Sequence, residues 1–444
     1  MTKLESVLKE AEALVVPSPE EESELKGVAE KVLRKVEAAS VPFKEVTDVI
    51  LGGSFAKQTW LPATRGTNAD IDVFVKIAKE VDDKRFEVVG LRVGREASRG
   101  YRHGKKYAQH PYTEATVEGI KVNIVPCYDV GPGEWRSAAD RSPYHVDFVK
   151  GNLDEKKRTQ VRLLKRFMKT VGVYGAEIES EGFSGYAAEV LVHNHGSLEG
   201  VLRFFAGLKP SGETLLSLKD PIDSDRELAK AISKETVARM VLASRAFLDR
   251  PDRAYFEGVK RRVRKALVRR LYVIRFDHRP LSEDTLWGEL KKSTRQIVRH
   301  LELRGFAVIR ASAASDNAGK SAIILLPEAV RLPDLEERVG PSVELSTEVH
   351  NFLAKNRARA ELLWAGEDAR VHLLQKRQHT ELGRLLEETL ASAMDDVGAS
   401  REVAAALKKN GRVLVGRAVS QETSKEEWLK EGVDELVADS IGTD

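Results

Sequence analysis

The chain of 444 residues contains one cysteine, Cys127, so it cannot form an internal disulfide, and this usage fits a reducing compartment. No run approaches the roughly 18 apolar residues of a membrane span. The opening Met-Thr-Lys-Leu-Glu-Ser lacks the apolar core of an export signal. Internal repeats and low-complexity stretches are also missing. Aromatic residues make up only 6%, and 72 Lys and Arg stand against 69 Asp and Glu, a net charge of +3. These absences exclude a disulfide scaffold and an integral membrane protein, and the expectation is a cytoplasmic protein with no membrane partner. What remains is 42% hydrophobic and 32% charged residues, the balance of a soluble globular chain. Its length exceeds one ordinary core and predicts two to four domains.

The small net charge hides an uneven distribution. From Lys260 to Arg279 nine Lys and Arg, among them Arg261, Arg262 and Arg264, face one acid, Asp277. A basic block in a folded region is commonly a solvated helix face. Nine cations this poorly relieved favour a polyanion partner.

Hydrophobic spacing predicts a helix over 20–39 after Pro17 and Pro19, and strands at 46–51, 70–76, 88–93 and 120–125. The first 140 residues therefore read as a small mixed sheet with flanking helices. Helices are predicted at 159–171, closed by Gly172, and at 181–194 and 226–248. A strand–helix–strand–strand order follows at 270–276, 283–304, 307–311 and 321–326, an arrangement that often binds RNA or docks partners. Residues 345–440 read as mostly helical.

The most informative segment is Ile50-Leu-Gly-Gly-Ser-Phe-Ala-Lys57, followed by Asp70-Ile-Asp-Val-Phe-Val75. Two glycines let backbone approach a phosphate, and a following helix start offers free N–H donors. Ser54 and Lys57, one turn apart, add a hydroxyl and a cation. Asp70 and Asp72 lie at i and i+2 on a strand, so they project to one face while Ile71 and Val73 turn to the core. Paired carboxylates call for a cation, and beside a phosphate-holding turn the economical one is Mg²⁺ with a nucleoside triphosphate. A lone Gly-Gly-Ser is an ordinary turn. The pairing with Asp-x-Asp gives it meaning.

These residues resemble the nucleotidyltransferase superfamily of DNA polymerase β, and more closely the archaeal (class I) CCA-adding enzymes. Further matching stretches occur in order: Tyr107–Tyr112, Val125–Tyr128, Ser137–His145, Arg162–Phe167, Val173–Glu177, Gly182–Tyr186 and Asp220–Arg226. The resemblance implies an α+β multi-domain fold with a nucleotidyltransferase head (1–141), a helical neck completing the nucleotide pocket (142–256), and body and tail domains gripping tRNA (257–444). It implies addition of C, C and A to the 3′ end of tRNA from CTP and ATP, with Mg²⁺ as cofactor and a homodimer as the assembly. Asp70 and Asp72 then hold metal. Ser54, Lys57, His145, Lys165 and Tyr174 bind the nucleotide, Arg226 meets the incoming base, and Arg261, Arg262 and Arg264 meet tRNA phosphates.

Each assignment has a plainer rival. His145 after Pro143-Tyr144 is otherwise a satisfied loop histidine, and Lys165 a snorkelling surface lysine. Tyr174 is otherwise a cover for a helix end, and Arg226 a local ion pair with Asp223 or Asp225.

One departure from the family pattern bears on activity. The third catalytic carboxylate falls in Val122-Asn123-Ile124, where Asn123 offers a carbonyl oxygen but neither charge nor a base. A natural variant with adapted chemistry, substitution by Glu118 or Asp129, and an introduced Asp→Asn change are all open, though alternation keeps Glu118 off the face of Asn123. Smaller departures are Asp70 where Glu is common and a loop over 63–69 longer than usual. The rival readings are a poly(A) or oligoadenylate polymerase of the same superfamily, and a tRNA-binding protein with a disabled site.

Overall fold

The computed structural model describes residues 2–62, 69–107, 109–209, 215–258 and 262–439. The chain divides into two compact units, Met1–Arg262 and Val263–Ala438, with Asp439 belonging to the first. The α+β, multi-domain expectation holds.

In the first unit, α1 (Lys3–Glu12) and α2 (Pro19–Ser40) precede β1 (Val46–Gly52) and the single turn α3 (Gly53–Ala56). Then come β2 (Ile71–Ala78), α4 (Asp83–Ala97), β3 (Arg102–Tyr107), β4 (Pro111–Val117) and β5 (Ile120–Asp129). The five strands form one sheet in the order β1-β2-β5-β4-β3, and only β2 and β5 run parallel. Alternation divides the sheet cleanly. Ile71, Val73, Val75 and Ile77 of β2 join Val122 and Ile124 of β5 in a core with Val28 and Val32 of α2 and Phe86, Val89 and Val93 of α4. Asp72 and Asn123 therefore face the other way.

The segment 88–93, read above as a strand, is the middle of α4. Its buried positions Phe86, Val89, Gly90, Val93, Gly94 and Ala97 recur at helical spacing, and the Asp82 side chain caps the start by accepting from Arg85 N–H at 3.0 Å. A short Val-rich run is ambiguous on its own, and the cap and flanking spacing decide it.

The rest of the unit is helical: α5 (Ser142–Asn152), α6 (Glu155–Val171), α7 (Gly185–His195), α8 (Leu198–Gly207), α9 (Lys234–Asp249) and the single turn α10 (Ala254–Glu257). A small hairpin of β6 (Lys219–Asp220) and β7 (Asp223–Glu227) interrupts it. Val161, Leu164, Phe167 and Met168 of α6 anchor this second core, and Gly172 at φ 73° ends the helix as expected. Arg226 lies on β7, not on the helix predicted to begin there.

The second unit holds a four-stranded antiparallel sheet of Arg412–Val415, Tyr272–Asp277, Lys320–Pro327 and Val308–Ser315, in that spatial order. Helix Glu283–Glu302 packs through Leu286, Leu290, Ile297 and Leu301 on one face, and Glu427–Val437 through Leu429, Val433 and Leu436 on the other. The region 345–440 is mostly helical, as expected, with helices Ser346–Asn356, Leu382–Glu388, Arg401–Asn410, Arg417–Thr423 and Glu427–Val437, but it also contributes strands that the sequence did not reveal. Ala360–Ala365 and Arg370–Lys376 pair in a three-stranded sheet with Leu335–Ser342. Only Val371 and Leu373 of that sheet centre are buried, so the period-two pattern is weak and charged neighbours mask it.

Candidate active site

Strand register places Gly52, Asp72, Asn123 and Glu114 in one row across β1, β2, β5 and β4. Gly53 adopts φ 62° at the turn after β1, a conformation side chains resist, and a Cβ there would overlap Asp72 Oδ2. A Cβ on Gly52 would overlap the Phe74 ring. The two glycines are thus required by the closeness of the turn to β2. Ser54 and Lys57 lie in and just after α3, and Ser54 O accepts Thr59 N–H at 3.0 Å.

Asp70 precedes β2 and is half-exposed, with Lys121 Nζ 3.8 Å from its Oδ2. Burial raises the Asp70 carboxyl above its usual value; Lys121 opposes this and the Asp72 and Glu114 charges add to it. Asp72 is likewise raised by burial, against a hydrogen bond from Asn123 and the Lys57 charge. Asn123 Nδ2 donates to Asp72 Oδ1 at 2.9 Å, and Asn123 Oδ1 is buried with no hydrogen-bond partner. An unpaired carbonyl oxygen beside two destabilised carboxylates fits a hard cation with oxygen ligands. Among the described residues no three Asp, Glu, His or Cys side chains converge on one point as they stand. Glu118 pairs with Lys31, and Asp129 with Lys76 and Thr47, so neither acid takes the place of the missing carboxylate.

Next to this row is a buried charge cluster centred on Glu189 of α7. Lys57 Nζ is 2.6 Å from Glu189 Oε2 and Lys165 Nζ is 3.0 Å from Oε1, all three side chains being less than a tenth exposed. Lys165 also donates to Thr59 O at 3.0 Å and Thr59 Oγ1 at 2.9 Å. Burial alone would raise the Glu189 carboxyl. Lys165, Lys57 and the hydrogen bonds override it and hold the group at about 2. Burial pulls the Lys57 ammonium down from its usual value, with Glu189 opposing. Two cations share the Glu189 carboxylate, and Lys57 also feels the Asp72 charge, so the cluster sets positive charge beside the Gly52-Gly53 turn. Lys165 is therefore no snorkelling residue. Gly185, the first residue of α7, lets Tyr174 and Lys165 meet the helix: a Cβ there would lie 3.0 Å from Tyr174 Oη and 3.5 Å from Lys165 Nζ.

A second buried carboxylate, Asp220, gathers the remaining pocket residues. His145 Nε2 is 3.2 Å from Asp220 Oδ2, Arg226 Nη1 is 3.1 Å from the same oxygen, and Tyr186 Oη donates to Oδ1 at 2.9 Å. Burial would raise Asp220, but the hydrogen bonds from His145 and Ile222 N–H, with Tyr186, keep it at about 2. His145 lies in α5 and stacks on Tyr186 with ring centroids 3.7 Å apart; burial lowers its pKa and so favours the neutral ring, with Asp220 opposing. Arg226 ignores Asp225, and Asp223 is held instead by Arg141 Nε at 2.7 Å. Lys57 Nζ, 5.5 Å above the Tyr186 ring, connects the two clusters.

Glu189 and Thr59 join these clusters without having been singled out in the sequence, and Asp220 and Tyr186 lie in the matching stretches named above but had no role assigned. Glu189 had a signal: a lone acid between Ala187-Ala188 and Val190-Leu191-Val192 is buried, and a buried acid needs cations. Of the basic block, Arg262 and Arg264 are exposed, and Arg261 lies outside the described residues, as does 63–68 of the long loop. Arg275 turns inward and is neutralised by Asp277, Glu422 and Glu426, so the block is not one continuous face.

Three family models match the chain in order. They are described as Second Messenger Oligonucleotide or Dinucleotide Synthetase domain over residues 1–144, tRNA nucleotidyltransferase, second domain, over 159–257, and CCA-adding enzyme, C-terminal domain, over 268–416. The chain is 35% identical over 424 residues to the CCA-adding enzyme of Pyrobaculum islandicum, covering 92% of this chain and 99% of that one. It is 33% identical over 428 residues to the CCA-adding enzyme of Methanopyrus kandleri, covering 86% of each. A solved cytoplasmic RNA terminal U-transferase is similar with a TM-score of 0.44 and 13% identity, over 58% of this chain and 98% of that one. The family model over 1–144 carries a description other than CCA addition, while the one over 268–416 carries the CCA-adding description.

Proposed function

Because the chain belongs to the CCA-adding enzymes, a family of α+β, multi-domain tRNA nucleotidyltransferases, we propose a residue-level account of how it extends tRNA with C, C and A. The observation that carries this account is the positive charge of Lys57 and Lys165 held on Glu189 beside the Gly52-Gly53 turn and Asp72. A nucleoside triphosphate takes that charge through its phosphates, with Ser54 supplying a hydroxyl and the glycines allowing close backbone approach. Asp70 and Asp72 hold Mg²⁺, with the free Asn123 Oδ1 a neutral third ligand. An ion held by these residues would stabilise negative charge that develops during the transfer. The tRNA 3′-hydroxyl attacks the α-phosphorus in line and gives up its proton to water, the new O3′–P bond forms, and the bond to the β-phosphate breaks to release pyrophosphate.

Selection between CTP and ATP falls to Arg226. Its guanidinium is fixed by Asp220 and offers a planar fork of donors to a base edge. His145 and Tyr186 stiffen the same anchor, and Tyr174 closes the pocket beside Lys165. Arg262 and Arg264, with Arg261, meet tRNA phosphates without reading sequence. A head of 1–141, a neck of 142–256 and a tRNA-gripping 257–444, together with a homodimeric, cytoplasmic enzyme, belong to the same reading.

The test supplies a tRNA lacking CCA with each nucleotide singly and in pairs. Incorporation of two C residues from CTP and one A only after them is expected. Open-ended A addition would assign the chain to the polyadenylating branch. Complete inactivity restored by Asn123→Asp would describe a disabled enzyme.

A further inference from the structure

Asn123 leaves the catalytic face one negative charge short, and the sheet brings one acid to that face from a strand the sequence did not reveal. Building on the account above, we propose that Glu114 supplies the third carboxylate of this site in place of the acid Asn123 does not provide. Glu114 is the direct cross-strand partner of Asn123 on β4, and Pro111, Thr113, Ala115 and Val117 of that strand turn to the opposite, buried face. It therefore shares the face of Asp72 and Asn123 by strand alternation.

Charge at the face agrees. Lys121, two residues before Asn123 on β5 and so on its face, places Nζ 3.1 Å from Glu114 Oε2 and 3.8 Å from Asp70 Oδ2. One ammonium thus already bridges Glu114 and the first carboxylate of the Asp70/Asp72 pair. Lys106 lies 4.0 Å from Glu114 Oε1 and is the other cation facing it. Glu114 is one strand farther from Asp72 than Asn123 is, roughly 5 Å. Its side chain has one methylene more than an aspartate, three rotatable bonds, and two partly exposed ammonium groups, those of Lys121 and Lys106, to leave. The amide at 123 is what permits the approach. A carboxylate there would repel both Asp72 and Glu114, whereas the amide donates to Asp72 and adds no charge.

The experiment compares the parent with Glu114→Gln, Asn123→Asp and the double variant. It measures CMP incorporation on tRNA lacking CCA, and Mn²⁺ affinity with CTP present by electron paramagnetic resonance. Glu114→Gln is expected to lower turnover on the order of tenfold or more and to weaken Mn²⁺ binding, with unchanged circular dichroism. Adding Asn123→Asp should recover most of both losses, because a carboxylate returns to the face one strand nearer. A Glu114→Gln protein within twofold of the parent in both measurements overturns the proposal, as does a double variant with no recovery. If the parent incorporates nothing, the CCA-adding account fails, and the Mn²⁺ arm still decides Glu114.

Discussion

Gly53 and Asp72 are so close that a single added carbon on the first would overlap a carboxylate oxygen of the second. The Gly52-Gly53 turn and the Asp72 carboxylate are therefore one object, built from the end of β1 and the start of β2. The helical residues that complete the site reach it through Glu189 and Asp220, two buried acids more than 30 residues apart that each hold basic side chains.

Gly53→Ala should retain the fold and lose activity. The substitution meets both the positive φ and Asp72, so the turn or the carboxylate must move by about 1 Å, a displacement that costs on the order of a hundredfold in rate. Steady-state kinetics alongside a thermal melt checks this. Near-parental turnover would show that the turn tolerates a side chain.

Glu189→Gln is expected to destabilise by about 3–5 kcal/mol, because it leaves two buried ammonium groups without their counter-ion. The pH dependence has a definite sign. The folded carboxyl sits at about 2 against a usual 4.5, so its stabilisation is complete above pH 4.5 and is lost as pH falls toward 2. Urea midpoints of parent and variant should therefore differ most near neutrality and converge in acid. A gap that persists unchanged to pH 2 would contradict the assigned ion pairs.

Asp220→Asn keeps the shape of the anchor but removes the charge that fixes Arg226 and His145. Charged hydrogen bonds of this kind contribute about 1.5–3 kcal/mol, so KM for CTP and ATP should rise roughly tenfold or more. Misincorporation should rise with it, since a loosened guanidinium reads a base edge less strictly. Sequencing of the added 3′ ends gives the second readout, and unaltered fidelity with unaltered KM would remove Arg226 from the pocket.

Arg262→Ala with Arg264→Ala should weaken tRNA binding and reduce its dependence on salt by roughly 0.7–0.9 in slope for each phosphate no longer neutralised. Nucleotide KM should stay where it is. Filter binding across a salt series makes the measurement, and parallel lines for parent and variant would exclude these two residues from the tRNA surface.

Local periodicity made the catalytic face legible before any coordinates. Alternation along Asp70–Val75 and Val122–Val125 assigns each side chain to a face within a few residues, and Gly52-Gly53 marks a close approach wherever it occurs. The helix end at Gly172 was legible for a similarly local reason. Segments with two competing periods were not. The 88–93 run needed the Asp82 cap to become a helix, and Arg226 needed the β6–β7 pairing to lie on a strand.

The sequence by itself determined that Asp70 and Asp72 share one face of their strand and that Asn123 turns away from the core, because that information is carried by neighbours one and two positions apart. Only the tertiary structure decided what holds the rest of the pocket. Lys57 finds Glu189 across 132 positions and His145 finds Asp220 across 75, and no local spacing encodes such partners. The same holds for Glu114, which comes to the face of Asn123 through the pairing of β4 with β5, a neighbourhood fixed by sheet register rather than by any pattern in either strand alone.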